Sequence, residues 1–194
     1  MSAFRNGCAP NREIFIHPHD SSQCKIYYLD DYQPYWEKGR QGEKKNPSFD
    51  KFSRMVLDLK QAKPSGLTYF VNWLDRILSA DIAIAVVPSH DPTNTSTGLH
   101  ALAAALKTGG RINASQCLER HTKVPKLAHG GDRNYQQHID SIKAKKPQLL
   151  TGNTVVLLDD TTTSGNSMMA CKTILLGSGA SKVVCLALGR TVRD

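Results

Sequence analysis

No apolar run in this chain approaches the roughly 20 residues needed to span a bilayer. The longest uninterrupted stretches, Ile82–Val87 among them, hold six. The N-terminus has no signal-peptide core, so a cytoplasmic location is expected. Cysteine is sparse: Cys8, Cys24, Cys117, Cys171 and Cys185 fall without paired spacing, which argues against a disulfide framework. Cys171 and Cys185 lie in apolar segments and read as packing residues. His17 and His19 beside Cys8 and Cys24 match no zinc spacing and read as loop residues. There is no Gly-x-x-x-x-Gly-Lys-[Ser/Thr] phosphate loop and no internal repeat. Acidic residues are in deficit: 25 Lys and Arg against 17 Asp and Glu leave a formal charge of +8. Nine of those cations lie between Lys107 and Lys146, where only Glu119, Asp132 and Asp140 oppose them. Such a surface receives either nucleic acid or a polyanionic small molecule.

At 194 residues and 40% hydrophobic content the chain is long enough for one domain with a real core. The first 48 residues are read as an N-terminal segment of their own. Within them Ile26-Tyr27-Tyr28-Leu29 is strand-like, and residues 38–47 form a charged loop. Residues 49–194 are read as the main domain. Phe52, Met55, Val56 and Leu59 share one face of a helix over 49–62. Pro64-Ser65-Gly66 is expected to break the chain before a second helix at 67–78. The run 82–87 reads as a strand buried on both faces, as in parallel sheets. A polar loop from Pro88 to Ser96 leads to a helix at 97–106, stopped by Gly109-Gly110. Short elements are expected at 115–118 (strand) and 134–143 (helix). A strand at 155–158, a helix from 167 to about 176 and a last strand at 183–188 follow. This alternation of strand and helix predicts an α/β fold with a doubly wound, mainly parallel sheet flanked by helices, and a small N-terminal subdomain.

The most specific feature is Val155-Val156-Leu157-Leu158-Asp159-Asp160-Thr161-Thr162-Thr163-Ser164-Gly165-Asn166-Ser167. A buried strand ends in two adjacent carboxylates, and a hydroxyl-rich loop with one glycine opens a helix. At the carboxyl end of a strand in an open α/β sheet this makes a ligand site. The carboxylates accept hydrogen bonds from sugar hydroxyls; the loop amides, hydroxyls and helix N-terminus suit a phosphate.

This pattern closely resembles the phosphoribosyl pyrophosphate (PRPP) loop of type I phosphoribosyltransferases. It departs at Asn166, where a smaller residue is usual, and mildly at Thr161, where an apolar residue is common. Over about residues 53–192 the order of elements is similar to the ComF-type branch, including a first helix ending in Leu59-Lys60. The four-cysteine zinc ribbon common in that branch is absent, and its Arg-Gly-Phe-Asn-Gln segment is reduced to Thr97-Gly98-Leu99-His100-Ala101. Purine-salvage members commonly carry an Asp where this chain has Thr163.

The resemblance implies transfer of a phosphoribosyl group from PRPP, with Mg²⁺, to a nitrogenous acceptor with release of pyrophosphate. Asp159 and Asp160 would hold the ribose hydroxyls and meet the metal only indirectly, through PRPP-bound Mg²⁺. Thr162, Thr163, Ser164, Gly165, Asn166 and Ser167 would cradle the 5′-phosphate, and Thr161 would belong to the same PRPP-binding set. Pro88, Ser89 and His90 would face the pyrophosphate through backbone N–H groups; His90 reads equally as a plain loop residue. Residues 120–133 would form a mobile closing lid, with Lys123, Lys126 or Arg133 neutralising the leaving group. Arg190, after the last strand, is either a ligand contact or a surface arginine. Two other functions stay open: a PRPP-sensing protein without turnover, and a nucleic-acid-associated accessory protein, for which only Tyr135 offers an aromatic near the basic stretch. No membrane partner is expected, and a homodimer stays open.

Overall fold

A computed structural model describes residues 2–5, 8–16, 24–39, 42–124 and 135–192. Six strands form the central sheet in the order β1-β2-β10-β9-β5-β6. They are β1 (Arg12–Ile16), β2 (Cys24–Tyr32), β5 (Ala83–Val86), β6 (Ile112–Asn113), β9 (Thr154–Thr162) and β10 (Lys182–Thr191). Only the β1–β2 pairing is antiparallel; the others are parallel. Two antiparallel ribbons stand apart from it: β3 (Trp36–Gly39) with β4 (Gly42–Lys45), and β7 (Leu118–Arg120) with β8 (Ile142–Ala144).

The sheet is buried on both faces because its strands are apolar at odd and even positions alike. Val156 and Leu158 of β9, with Ile84 and Val86 of β5, pack against α1 (Lys51–Lys60), α2 (Pro64–Ile77) and α3 (Gly98–Leu106). Val155 and Leu157, with Ala83 and Ala85, pack on the opposite face under α5 (Asn166–Gly177), which α4 (Tyr135–Ser141) flanks. This two-sided burial explains the unbroken apolar runs. No helix among the described residues is long and apolar enough to cross a membrane.

Several expectations change in detail. β9 does not stop at the carboxylates: it runs through Asp159, Asp160 and Thr161 to Thr162, with Asp159, Thr161 and Thr162 paired to Ala187, Gly189 and Arg190 of β10. Polar residues continue the strand because the neighbouring strand offers its backbone groups there. Pro64 begins α2 instead of separating it from α1, since a proline at the first helical position loses no hydrogen bond and has its φ preset. Residues 115–117 turn, with the Cys117 N–H donating to the Ala114 carbonyl at 3.0 Å, so pairing starts only at Leu118. The helix expected over 134–143 ends at Ser141, and Ile142–Ala144 becomes a strand. β10 extends three residues past 188.

Residues 24–32, placed by the sequence in an N-terminal segment, are a full member of the central sheet. β2 pairs in parallel with β10 from Ile26↔Cys185 to Tyr32↔Thr191.

The packing of α1 fixes its last turn. A Cβ at Gly66 would lie 2.3 Å from the Leu59 nitrogen, and one at Gly98 would lie 1.8 Å from the Leu59 carbonyl oxygen. Two glycines therefore let α2 and α3 close on the same backbone segment, just ahead of Lys60.

Candidate functional site

Between β5 and β9 the chain switches sides. The segment after β5 turns into α3 on one face, and the segment after β9 turns into α5 on the other. Loops that diverge in this way leave a crevice beyond the carboxyl ends of the strands, the usual ligand position in open α/β sheets. A cavity of about 640 Å³ occupies that place. Its walls come from the 88–97 segment, the end of β9 with the loop into α5, and the end of α1.

The structure brings most of the sequence candidates together here. Pro88, Ser89, His90, Asp159, Asp160, Thr161, Thr162, Thr163, Ser164, Gly165 and Ser167 all line the cavity. Asn166 does not; it opens α5. Lys123 does not line it either: its ammonium lies 2.8 Å from an Asp91 carboxylate oxygen. That ion pair, with hydrogen bonds from the Thr93 hydroxyl and amide, holds the Asp91 carboxyl far below the usual range. Arg133 and Lys126 lie outside the described residues. Arg190 is exposed, its guanidinium 5.9 Å from the Tyr28 ring centroid, while the next residue, Thr191, reaches the cavity.

Asp159 and Asp160, at consecutive strand positions, leave opposite faces of the sheet. Asp160 falls in the alternation of Val156 and Leu158, toward α1; Asp159 falls in that of Val155 and Leu157, toward α5. The Asp160 N–H donates to an Asp159 carboxylate oxygen at 2.9 Å, and the Thr161 hydroxyl donates to Asp160 at 3.0 Å. The pair thus spans the crevice from both sides.

Gly165, at φ +74°, makes the turn from β9 into α5, a left-handed backbone that favours glycine. The helical ladder of α5 starts with the Met169 N–H on the Gly165 carbonyl at 2.9 Å. The amides of the first turn precede that ladder and face the loop end of the helix. Thr162 is buried and Ser164 exposed, so the loop's hydroxyls range from the floor of the cavity to its rim.

Two cations here were not singled out in sequence. Lys60, the last residue of α1, places its ammonium 3.4 Å from Asp160 and donates to the Thr161 hydroxyl at 3.1 Å. The Tyr32 ring centroid lies 5.1 Å away. Desolvation works against the charged ammonium, but Asp160, Tyr32 and Asp159 together prevail and raise its pKa. Arg120, at the end of β7, is buried and lines the cavity. Its Nε donates to the Ser89 carbonyl at 2.7 Å, its Nη1 donates to the Ser141 hydroxyl, and its Nη2 lies 3.2 Å from His138 Nδ1. Lys60 had a sequence signal, a lysine ending an amphipathic helix. Arg120 had none, because its partners lie 18 to 31 residues away along the chain.

The arrangement combines two carboxylates, a hydroxyl- and amide-rich turn at a helix start, a second loop and two cations around one cavity. It suits a ligand carrying both hydroxyls and anionic groups. No group of three or more His, Cys, Asp or Glu among the described residues is placed to hold a metal on its own. No family model matches the chain, and no curated protein matches it.

Proposed function

We propose that the chain binds PRPP together with Mg²⁺ and transfers its phosphoribosyl group to a nitrogenous acceptor. The observation that carries this reading is the convergence of the Asp159–Ser167 segment and the Pro88–His90 loop on one cavity at the side-switch of the sheet. Nothing in the sequence spacing required those two segments, some 70 residues apart, to share a wall. On this reading Asp159 and Asp160 accept hydrogen bonds from the ribose hydroxyls. Thr162, Thr163, Ser164 and Gly165 with the first turn of α5 hold the 5′-phosphate. The Pro88–His90 loop faces the diphosphate.

The acceptor nitrogen attacks the anomeric carbon as the carbon–oxygen bond to pyrophosphate breaks, and the leaving group departs with both electrons. Positive character developing on the sugar is stabilised by the fixed negative charge of the two carboxylates. These oxygen donors fit a magnesium ion delivered on the diphosphate, which keeps several of its own ligands and needs few protein carboxylates. When bound, Mg²⁺ supplies charge neutralisation of the leaving group. Lys60 is placed to set the position of Asp160, and its raised pKa keeps it positively charged at neutral pH.

Calorimetric titration with PRPP and Mg²⁺ tests the proposal, alongside an Asp159→Asn/Asp160→Asn double variant. Binding by the wild type that the variant loses is the expected outcome. Failure of the wild type to bind would refute it. Binding without pyrophosphate release across a panel of nitrogenous acceptors would replace transfer by sensing.

A further inference from the structure

We propose that Arg120 is a positioning residue that turns the backbone of the Pro88–His90 loop so that it receives an anion. This rests on the diphosphate-facing role given to that loop above. The argument begins with two consecutive carbonyls. The Ser89 carbonyl accepts from Arg120 Nε at 2.7 Å, and the His90 carbonyl accepts from the Val124 N–H at 3.2 Å. Both donors belong to the same five-residue stretch, at and just beyond the end of β7. A planar trans peptide points its C=O and N–H to opposite sides, so anchoring the Ser89 oxygen on Arg120 turns the His90 N–H away from the guanidinium. A loop whose carbonyls are drawn off in this way offers amides, and not repelling oxygens, to a negatively charged group.

Arg120 is itself held from two further sides. Ser141, the last residue of α4, accepts from Nη1, and His138 of the same helix meets Nη2 through Nδ1. The planar guanidinium fork spans three partners on two elements, a geometry that an ammonium cannot reproduce. Burial keeps the side chain in that one arrangement. The cation also adds fixed positive charge beneath the loop in a site shielded from water, where such charge acts more strongly than at the surface. Arg120, itself part of the cavity wall, thus works on the loop through the Ser89 carbonyl.

The two ends of the proposed ligand allow a clean test, because they use different loops. Pyrophosphate probes the Pro88–His90 loop; ribose 5-phosphate probes the Thr162–Ser167 turn. Calorimetry would measure each separately for the wild type, Arg120→Met, Arg120→Lys and Ser141→Ala. Arg120→Met is expected to weaken pyrophosphate by about tenfold or more, the scale of one lost charge-assisted hydrogen bond, while ribose 5-phosphate stays within about twofold. Arg120→Lys, with the charge but not the fork, is expected to fall between the two. Ser141→Ala is expected to give a smaller loss of the same selectivity, and it keeps the test open should Arg120→Met fail to fold. Equal loss for both ligands would overturn the proposal, since a merely structural arginine affects both loops. Unchanged pyrophosphate affinity would overturn it as well. A wild type that binds ribose 5-phosphate but not pyrophosphate refutes the role of the loop alone, and one that binds neither ligand refutes the PRPP reading with it.

Discussion

Gly98→Ala is the sharpest test of how this fold holds its site. Gly98 begins α3, and a single methyl group there would stand 1.8 Å from the Leu59 carbonyl oxygen and 2.8 Å from its carbonyl carbon. Ordinary contact begins at 3.4 Å, and the obstacle is backbone, which no rotamer change can clear. Either α3 or the end of α1 must shift. Overpacking of a close-packed interior commonly costs 1–3 kcal/mol, and a backbone clash belongs at the upper end, about 3 kcal/mol. The gain in helix propensity from glycine to alanine, up to about 1 kcal/mol, offsets only part of it. For a chain of this size each kcal/mol moves the melting temperature by roughly 2–4 °C. A fall of about 4–12 °C is therefore expected in a thermal melt followed by circular dichroism. Gly177→Ala is the matched control. Gly177 closes α5 and a Cβ there meets nothing within 4 Å, so its melting temperature should hold or rise slightly. If Gly98→Ala melts within 1 °C of the wild type, the clamp on α1 is not what fixes Lys60.

Arg111→Met should lower the urea midpoint by an amount equivalent to about 3 kcal/mol, because the buried guanidinium caps carbonyls of Asp75, Leu78, Ser79 and Leu106 at 2.8–3.3 Å and pairs with Asp75. Burial holds the His100 pKa below the ordinary 6.5, so the unfolded chain takes up the proton first as pH falls. Stability is then lost on acidification below about pH 6.5, and this component should be missing from melts of His100→Gln. Asp91 works at lower pH: its depressed pKa contributes stability above the ordinary carboxylate range and loses it as pH falls further, so Asp91→Asn should flatten the acid limb of the stability profile. Burial pushes the Cys171 thiol far up, and Cys117 and Cys185 are buried too, so a thiol reagent should spare all three until the chain is unfolded in urea.

Much of the fold could be read from the chain because its core strands are apolar at every position. The runs at 82–87 and 155–158 have no polar face, as strands of a sheet covered on both sides require. Element boundaries were less legible, for identifiable reasons. Pro64 breaks a helix in its interior but favours one at its first position, and only the packing of Gly66 on α1 decides between them. Asp159 to Thr162 have the composition of a turn, yet β10 pairs with Asp159, Thr161 and Thr162 and carries the strand on. The membership of β2 in the central sheet was invisible, since parallel pairing with β10 joins segments some 160 residues apart and leaves no local signal.

The candidate site divides along the same line. Its acidic and hydroxyl half lies within one contiguous stretch, Asp159–Ser167, where strand, turn and helix start follow one another, and every residue of that stretch but Asn166 lines the cavity. Its basic half is assembled from a distance. Lys60 reaches Asp160 across 100 positions because two glycines let neighbouring helices close on the turn before it. Arg120 reaches the opposite loop because β7 and β8 pair as a ribbon beside α4. Sequence reasoning looked instead to Lys123, Lys126 and Arg133, and of these the described one, Lys123, pairs with Asp91 at the surface. The physical difference is burial. A solvated lysine is screened and holds many orientations, whereas Arg120 is held in one geometry by three partners in a shielded site. On the proposed function the cation that shapes the diphosphate loop is the buried, multiply bonded one, and Arg120→Lys, which keeps the charge and removes the fork, separates geometry from charge at that position.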